Sequence, residues 1–352
     1  MKLGAERIRV ADYFEWLEEA HRRNWTDGLP VVPPTPERVE AMIAASGRDP
    51  DEEIGEVPPR YAVATIEALA INSVMGGCLP EYFPVVIAAV ECMLEPEFNL
   101  NGVQTTTHNN EPLVIVSGPA VERLGLNAGH GVFGNGNRAN GTIGRAIKLI
   151  LWNLGGSYPG EPDKSTFAHP GKWSYCIGEN NAANPWEPFH HERGLSGAES
   201  AVTVFGCEAP HSLLCHGTAD QMLAQIVDAT AHTGSNNFTY MGQWLLVIGP
   251  EAAGVLSRAG LTKDEIRRHI WEQARLPIAR LKRCGVFVPE QAGQMWPDWI
   301  DVTRDDSLVP MTPRLEDILI MVAGGEGKFS MQCPGWGGFG GFAVTKPLTL
   351  RS

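Results

Sequence analysis

Three polar constellations in this chain carry residue types suited to chemistry. The first is His130-Gly-Val-Phe-Gly134-Asn-Gly136-Asn137-Arg138-Ala-Asn140-Gly-Thr142-Ile-Gly144-Arg145. Its glycines, Gly134 and Gly136 among them, let backbone approach a ligand closely. A helix predicted to begin near Thr142 would turn free N–H groups back into the loop. Arg138 offers a guanidinium fork for a carboxylate or phosphate, so Gly134, Gly136, Asn137, Arg138, Asn140 and Thr142 are candidate anion-binding residues. The Gly-Lys-Ser/Thr ending of a Walker loop is absent, and no GxGxxG directly follows a strand.

The second constellation is Cys176-Ile-Gly-Glu179-Asn-Asn-Ala-Ala-Asn184-Pro-Trp186-Glu187-Pro-Phe-His190-His191-Glu192-Arg193-Gly194. His190 beside Glu192 and Arg193 has the makings of a general base oriented by a carboxylate, since histidine titrates near neutrality. Glu179 joins it as a candidate acid–base group and Arg193 as a substrate contact. An exposed ion-pair cluster is the competing interpretation. The third is Cys207-Glu208-Ala-Pro-His211-Ser-Leu-Leu-Cys215-His216-Gly217. His211 and His216 are expected at the C-terminal end of a buried strand, where α/β enzymes place catalytic groups. With His190 or Glu208 they have the ligand types for zinc, iron or manganese, so a divalent transition metal is a candidate cofactor. Their spacing of five matches no zinc signature. His108, in Thr105-Thr-Thr-His-Asn-Asn110, reads as a structural histidine, and the glycine-rich run from Cys333 as close packing.

These residues need a scaffold, and the apolar pattern predicts one. Ala11–Arg23, a segment opened by Thr35-Pro36, Thr65–Met75 and Glu81–Met93 read as helices, making residues 1–95 a mostly helical region. Beyond it, short β-rich runs alternate with helices, the mark of an α/β fold. Leu113–Val116, Val202–Phe205, Leu245–Ile248 and Ile318–Val322 read as buried strands ending near glycine. Val114–Leu124 resembles Leu245–Leu256, and Ile143–Ile147 aligns with Ile266–Ile270 behind the capping box of Thr262 and Glu265. Val202–Gly206 then aligns with Ile318–Gly324. The pattern implies two related α/β halves, residues 96–235 and 236–352, the first enlarged by the Gly/Asn loop.

Composition narrows the classes. A formal net charge of −13 with no Lys/Arg cluster argues against nucleic acid. No run of 18 apolar residues and no apolar leader is present, so a membrane span and secretion are not expected. Seven cysteines without CxxC spacing fit reduced thiols in the cytoplasm.

Long segments also carry a family resemblance. Trp25–Val39 (WTDGLPVVPPTPERV), Leu79–Glu91, Phe98–His108, Gly134–Ile150 and Glu179–Gly194 together resemble a bacterial family similar to the companions of UGSC proteins. Those proteins take their name from a selenocysteine-or-cysteine, Gly, Ser, Cys motif. The resemblance implies thiol or selenol redox chemistry with a partner protein, because this chain has no Cys-Gly-Ser-Cys of its own. His191 stands where the family pattern is apolar, and Cys215 where Asp is common.

Three functions remain open on the sequence. One is an enzyme, a lyase or hydrolase acting on a small carboxylate-type anion by histidine acid–base chemistry, with or without a metal. Another is a redox subunit serving a thiol or selenol partner, which requires an accessible cysteine. The last is a non-catalytic small-molecule binding protein. A homo-oligomer is the default assembly.

Overall fold

A strand with no polar break must be covered on both faces, and the longest apolar strands of this chain are. The computed structural model describes residues 3–286 and 296–351. The N-terminal region contributes α1 (Tyr13–Arg22), α2 (Pro36–Ser46), a hairpin of β1 (Glu53–Val57) and β2 (Ala62–Thr65), then α3 (Ile66–Gly76), α4 (Phe83–Met93) and α5 (Leu100–Thr105). Asp12 caps α1 through the amides of Phe14 and Glu15, Pro36 opens α2, and Thr65 caps α3.

The first half follows as β3 (Glu111–Ser117), α6 (Ala120–Arg123), α7 (Arg138–Ile150), β4 (Cys176–Gly178), α8 (Phe189–Glu192) and β5 (Ala201–Cys207). After β6 (His211–Leu214), α9 (Ala219–Thr230) and α10 (Asn236–Tyr240), the second half runs β7 (Trp244–Ile248), α11 (Pro250–Arg258) and α12 (Lys263–Gln273). Next come β8 (Arg275–Pro277), α13 (Ile278–Arg283), β9 (Leu308–Pro310), β10 (Ile318–Val322), β11 (Phe329–Pro334) and β12 (Val344–Pro347). The fold is α/β with mixed sheets, and the four strands anticipated from apolar runs are β3, β5, β7 and β10.

The sheets are ordered β12-β5-β3-β4 and β10-β7-β11-β6, beside two short two-stranded pairs. Leu113, Ile115 and Phe205 of one sheet share a buried cluster with Leu245, Val247, Leu319, Met321 and Cys333 of the other. On its outer face the first sheet presents Val114, Val116, Val202 and Val204 to α2, α3, α4 and α7. The second presents Trp244, Leu246, Ile248 and Ile320 to α9, α11 and α12. The result is four layers, helix–sheet–sheet–helix.

Apart from α8 in the first half and the β8–α13–β9 insertion in the second, the halves share one connectivity: strand, two helices, a parallel neighbour, then an antiparallel strand. β10 is therefore the counterpart of the three-residue β4, and β11 that of β5. The alignment of Val202–Gly206 with Ile318–Gly324 is corrected accordingly. β5 and β10 are both continuous apolar runs, whereas β4 is too short to register as one.

Each half then sends its next strand away. β6 leaves β5 and pairs with β11, while β12 leaves β11 and pairs with β5. Leu113 pairs with Phe205 and Leu245 with Cys333. Matching inward-facing Leu113 and Ile115 with Leu245 and Val247 makes Cys207 and Gly335 counterparts, and these two bridge each other. The glycines beyond Cys333 serve this crossing: a Cβ on Gly335 would lie 2.3 Å from the Gln243 carbonyl oxygen. Gly340, at φ +146°, would meet Asn99 at 2.6 Å.

Candidate active site

At the start of β3 the chain leaves the first sheet where the end of β5 does, because Glu111 and Cys207 are register partners. Parallel β4 begins at the same end. His108 and Glu208, 100 residues apart, are thereby brought together, with His108 Nε2 2.6 Å from Glu208 Oε1. Both side chains are half-buried, 21% and 33% exposed. The backbone N–H of His108 donates to Thr106 Oγ1, and its Nδ1 is buried with no protein partner among the described residues. In the neutral ring with Nε2–H donating to the carboxylate, Nδ1 holds a lone pair.

The Tyr175 hydroxyl donates to the Glu208 carbonyl oxygen at 2.8 Å, and the Tyr175 ring meets His169 edge-on, centroids 5.4 Å apart. Burial, with the Lys172 ammonium as the second cause, pushes His169 down to about 4. Its imidazole is therefore neutral at pH 7. His169 Nδ1 accepts the Gly171 N–H at 3.1 Å, which leaves the proton on Nε2. That Nε2–H is buried and faces the Cys207 backbone carbonyl, with no hydrogen bond of good geometry among the described residues. The segment carrying it is clamped to the His108 strand lead: Asn109 Oδ1 accepts from Ser165 Oγ and from the amides of Phe167 and Ala168.

Charges lie beneath. Lys172 Nζ is 2.6 Å from Asp163 and 3.6 Å from Glu111, while Lys148 Nζ stands 3.7 Å from Glu111. The Glu111 separations exceed a hydrogen bond. Asn110 is fully buried, and both its amide atoms lack a protein partner among the described residues. His232 is pushed down by burial and then by His211, and Glu208 acts on it as well, so the segment just after α9 lies toward this region.

Of the residues singled out in the sequence, Glu208 lies in this pair and His211 toward His232; the others fall elsewhere. α7 begins at Arg138, not near Thr142, so Arg138, Asn140 and Thr142 lie on the helix. Asn137 caps it through the Asn140 amide. Asn140 also binds both backbone groups of Asn127, and Thr142 donates to the Arg138 carbonyl. Arg138 reaches the Gly77 carbonyl oxygen at 3.2 Å. Gly134 and Gly136 sit in the turns before this cap. These polar groups are engaged within the fold.

His190 lies near the opposite end of β3, fully buried, with Nε2 3.2 Å from the Ala198 carbonyl oxygen, and burial pushes it down. Glu192 does not orient it; that carboxylate binds Lys263 at 2.5 Å and Arg267 at 2.8 Å. Glu187 instead meets the neighbouring His191, at 3.0 Å. Glu179, buried and pushed up by that burial, accepts the Phe189 N–H at 2.9 Å and the Asn184 amide at 3.0 Å. Arg193 donates to the Ala343 carbonyl at 2.8 Å. This segment is a braced loop.

His211 opens the exposed edge strand β6, and His216 lies exposed beyond it, so neither sits at the end of β5. Among the described residues, no three His, Cys, Asp or Glu are placed to hold a metal ion. All seven cysteines are free and only Cys284 is exposed. No helix among the described residues is long and apolar enough to cross a membrane.

Sequence reasoning weighed Glu208 only as a metal ligand, took His108 as structural and passed over His169. The one local signal was the density of polar residues in Thr105–Asn110. Comparison with family models and with curated proteins returned no match.

Proposed function

We propose that the protein is an enzyme acting on a small carboxylate-type molecule, a lyase or hydrolase in which His108 moves the proton. One observation carries this reading: the His108 ring is tied through Nε2 to a carboxylate while Nδ1 lies buried and unpartnered. A ring so held is fixed in tautomer and direction, and the carboxylate stabilises the imidazolium formed when Nδ1 takes a proton. Neutral His169 adds a buried Nε2–H that faces the Cys207 backbone carbonyl without a close hydrogen bond and is suited to a carboxylate or carbonyl oxygen. Tyr175 holds Glu208 through its backbone and so acts as a positioning residue.

The test is proton exchange. Small carboxylates are incubated with the protein in deuterium oxide, and loss of carbon-bound hydrogen or appearance of cleaved product is followed by proton NMR. His108→Gln retains a donor to Glu208 and removes the Nδ1 base. It is expected to slow turnover by about 100-fold or more. Turnover unchanged in His108→Gln would sink the assignment. Tight carboxylate binding with neither exchange nor cleavage would make this a binding protein.

A further inference from the structure

We infer that the cavity beyond the C-terminal end of β3 is a binding site for an apolar α-amino acid, separate from the His108 site. His108 precedes this seven-residue strand and the cavity follows it, so roughly 20 Å of extended chain lies between them. Three stretches enclose a cavity of about 590 Å³: the turn after β3 with α6, the loop of residues 194–200, and residues 347–350. That volume is in the range of small-molecule sites. The three stretches are tied to one another. Ser200 Oγ accepts the Ala120 N–H at 3.0 Å, and the Ser200 carbonyl accepts the Leu348 N–H at 2.8 Å. Gly118, at φ +86°, brings the turn so near the loop that a Cβ on it would lie 2.3 Å from the Glu199 carbonyl oxygen. Within the loop, the Leu195 N–H donates to the His190 carbonyl at 3.0 Å, and His190 Nε2 lies 3.2 Å from the Ala198 carbonyl oxygen.

The lining sorts by burial. Leu348 and Ser200 are buried, Leu195 and Leu350 half-buried. The Ser200 oxygens are already engaged in the bonds above, so this part of the wall offers apolar surface. Arg123 and Glu199 are exposed lining residues of opposite charge. The Arg123 guanidinium donates to the Arg351 carbonyl oxygen, and neither Arg123 nor Glu199 has an ion-pair partner among the described residues. A guanidinium takes a carboxylate, and a carboxylate takes an ammonium. A molecule with one of each beside an apolar side chain matches both charges and the apolar wall, and an apolar α-amino acid is that molecule. A plain fatty acid leaves Glu199 unmatched, and a plain amine leaves Arg123 unmatched.

L-Leucine, 4-methylpentanoate and 3-methylbutylamine share one carbon skeleton, and the last two lack the ammonium and the carboxylate respectively. Each is titrated into the full chain at pH 7 and followed by saturation-transfer NMR and calorimetry. Leucine is expected to bind about tenfold more tightly than either analogue, the value of one charge-assisted hydrogen bond. Arg123→Gln and Glu199→Gln, both at exposed positions, should each weaken leucine about tenfold. Arg123→Gln should also weaken 4-methylpentanoate, whereas Glu199→Gln should not. Leucine that binds no better than the analogues, that binds both variants as it does the parent, or that fails to bind at millimolar concentration overturns the inference. The analogue comparison uses the parent protein alone, so it decides the matter even where a variant fails to fold. His108→Gln should bind leucine as the parent does; loss of leucine binding in that variant would put the amino acid at the His108 site and overturn the assignment to this cavity.

Discussion

His169 shows how one burial decides a protonation state. Its imidazolium is pushed down to about 4 while the unfolded chain titrates near 6.5, so between those values the unfolded state binds more protons. Stability therefore rises with pH across that window and is lost as pH falls through it. His190 and His232 are shifted the same way, each by burial first. Urea midpoints measured from pH 7 to pH 4.5 should fall, and His169→Asn should remove part of that fall. An equally steep loss in His169→Asn would place the acid sensitivity elsewhere. Glu179 makes a contrasting case: Glu179→Ala strands the buried Phe189 N–H and is expected to cost about 1–3 kcal/mol, read from denaturant unfolding.

Among the elements, α12 has the most legible start. Thr262 Oγ1 accepts the Glu265 amide while the Glu265 carboxylate accepts the Thr262 N–H, the reciprocal pair that the spacing predicts. Thr262→Ala should cost about 1 kcal/mol, seen as a lower Tm without change in fold. The crossing after β11 is less forgiving. Gly335→Ala drives a methyl group into the backbone carbonyl of Gln243, which no rotamer change relieves. That variant is expected to lose several times the stability lost by Thr262→Ala, or to be recovered unfolded. An ordinary Tm for Gly335→Ala would show that the crossing strands have room to move apart.

For the whole molecule, the exchange of β6 and β12 decides what can fold alone. A cut between residues 235 and 236 leaves β6 on the first fragment although its partner β11 is on the second, and β12 on the second although β5 is on the first. Each fragment alone would expose the inner face of its sheet, including Leu113 and Ile115 or Leu245 and Val247. Fragments 1–235 and 236–352 are expected to be insoluble when expressed singly and to assemble when expressed together. A folded, monomeric 1–235 fragment, judged by circular dichroism and gel filtration, would refute this.

What the sequence determined by itself follows from local physics. Continuous apolar runs announced β3, β5, β7 and β10, and start signals announced α2 and α12, because burial on both faces and free helix amides each impose residue types at fixed spacing. The similarity of two βα units was visible for the same reason. β4, β6, β11 and β12 were not, since they are short or partly polar and become strands only beside a partner from another part of the chain. Only the tertiary structure joined His108 to Glu208 across 100 residues and laid His169 beside them. The reason is register: β3 and β5 run antiparallel, so the chain before one and after the other must emerge at the same edge of the sheet. The Gly/Asn loop and His190 had suggestive residue types, but Asn137, Asn140 and Thr142 are engaged in capping and turns and His190 Nε2 is held by Ala198, though its Nδ1 has no partner among the described residues.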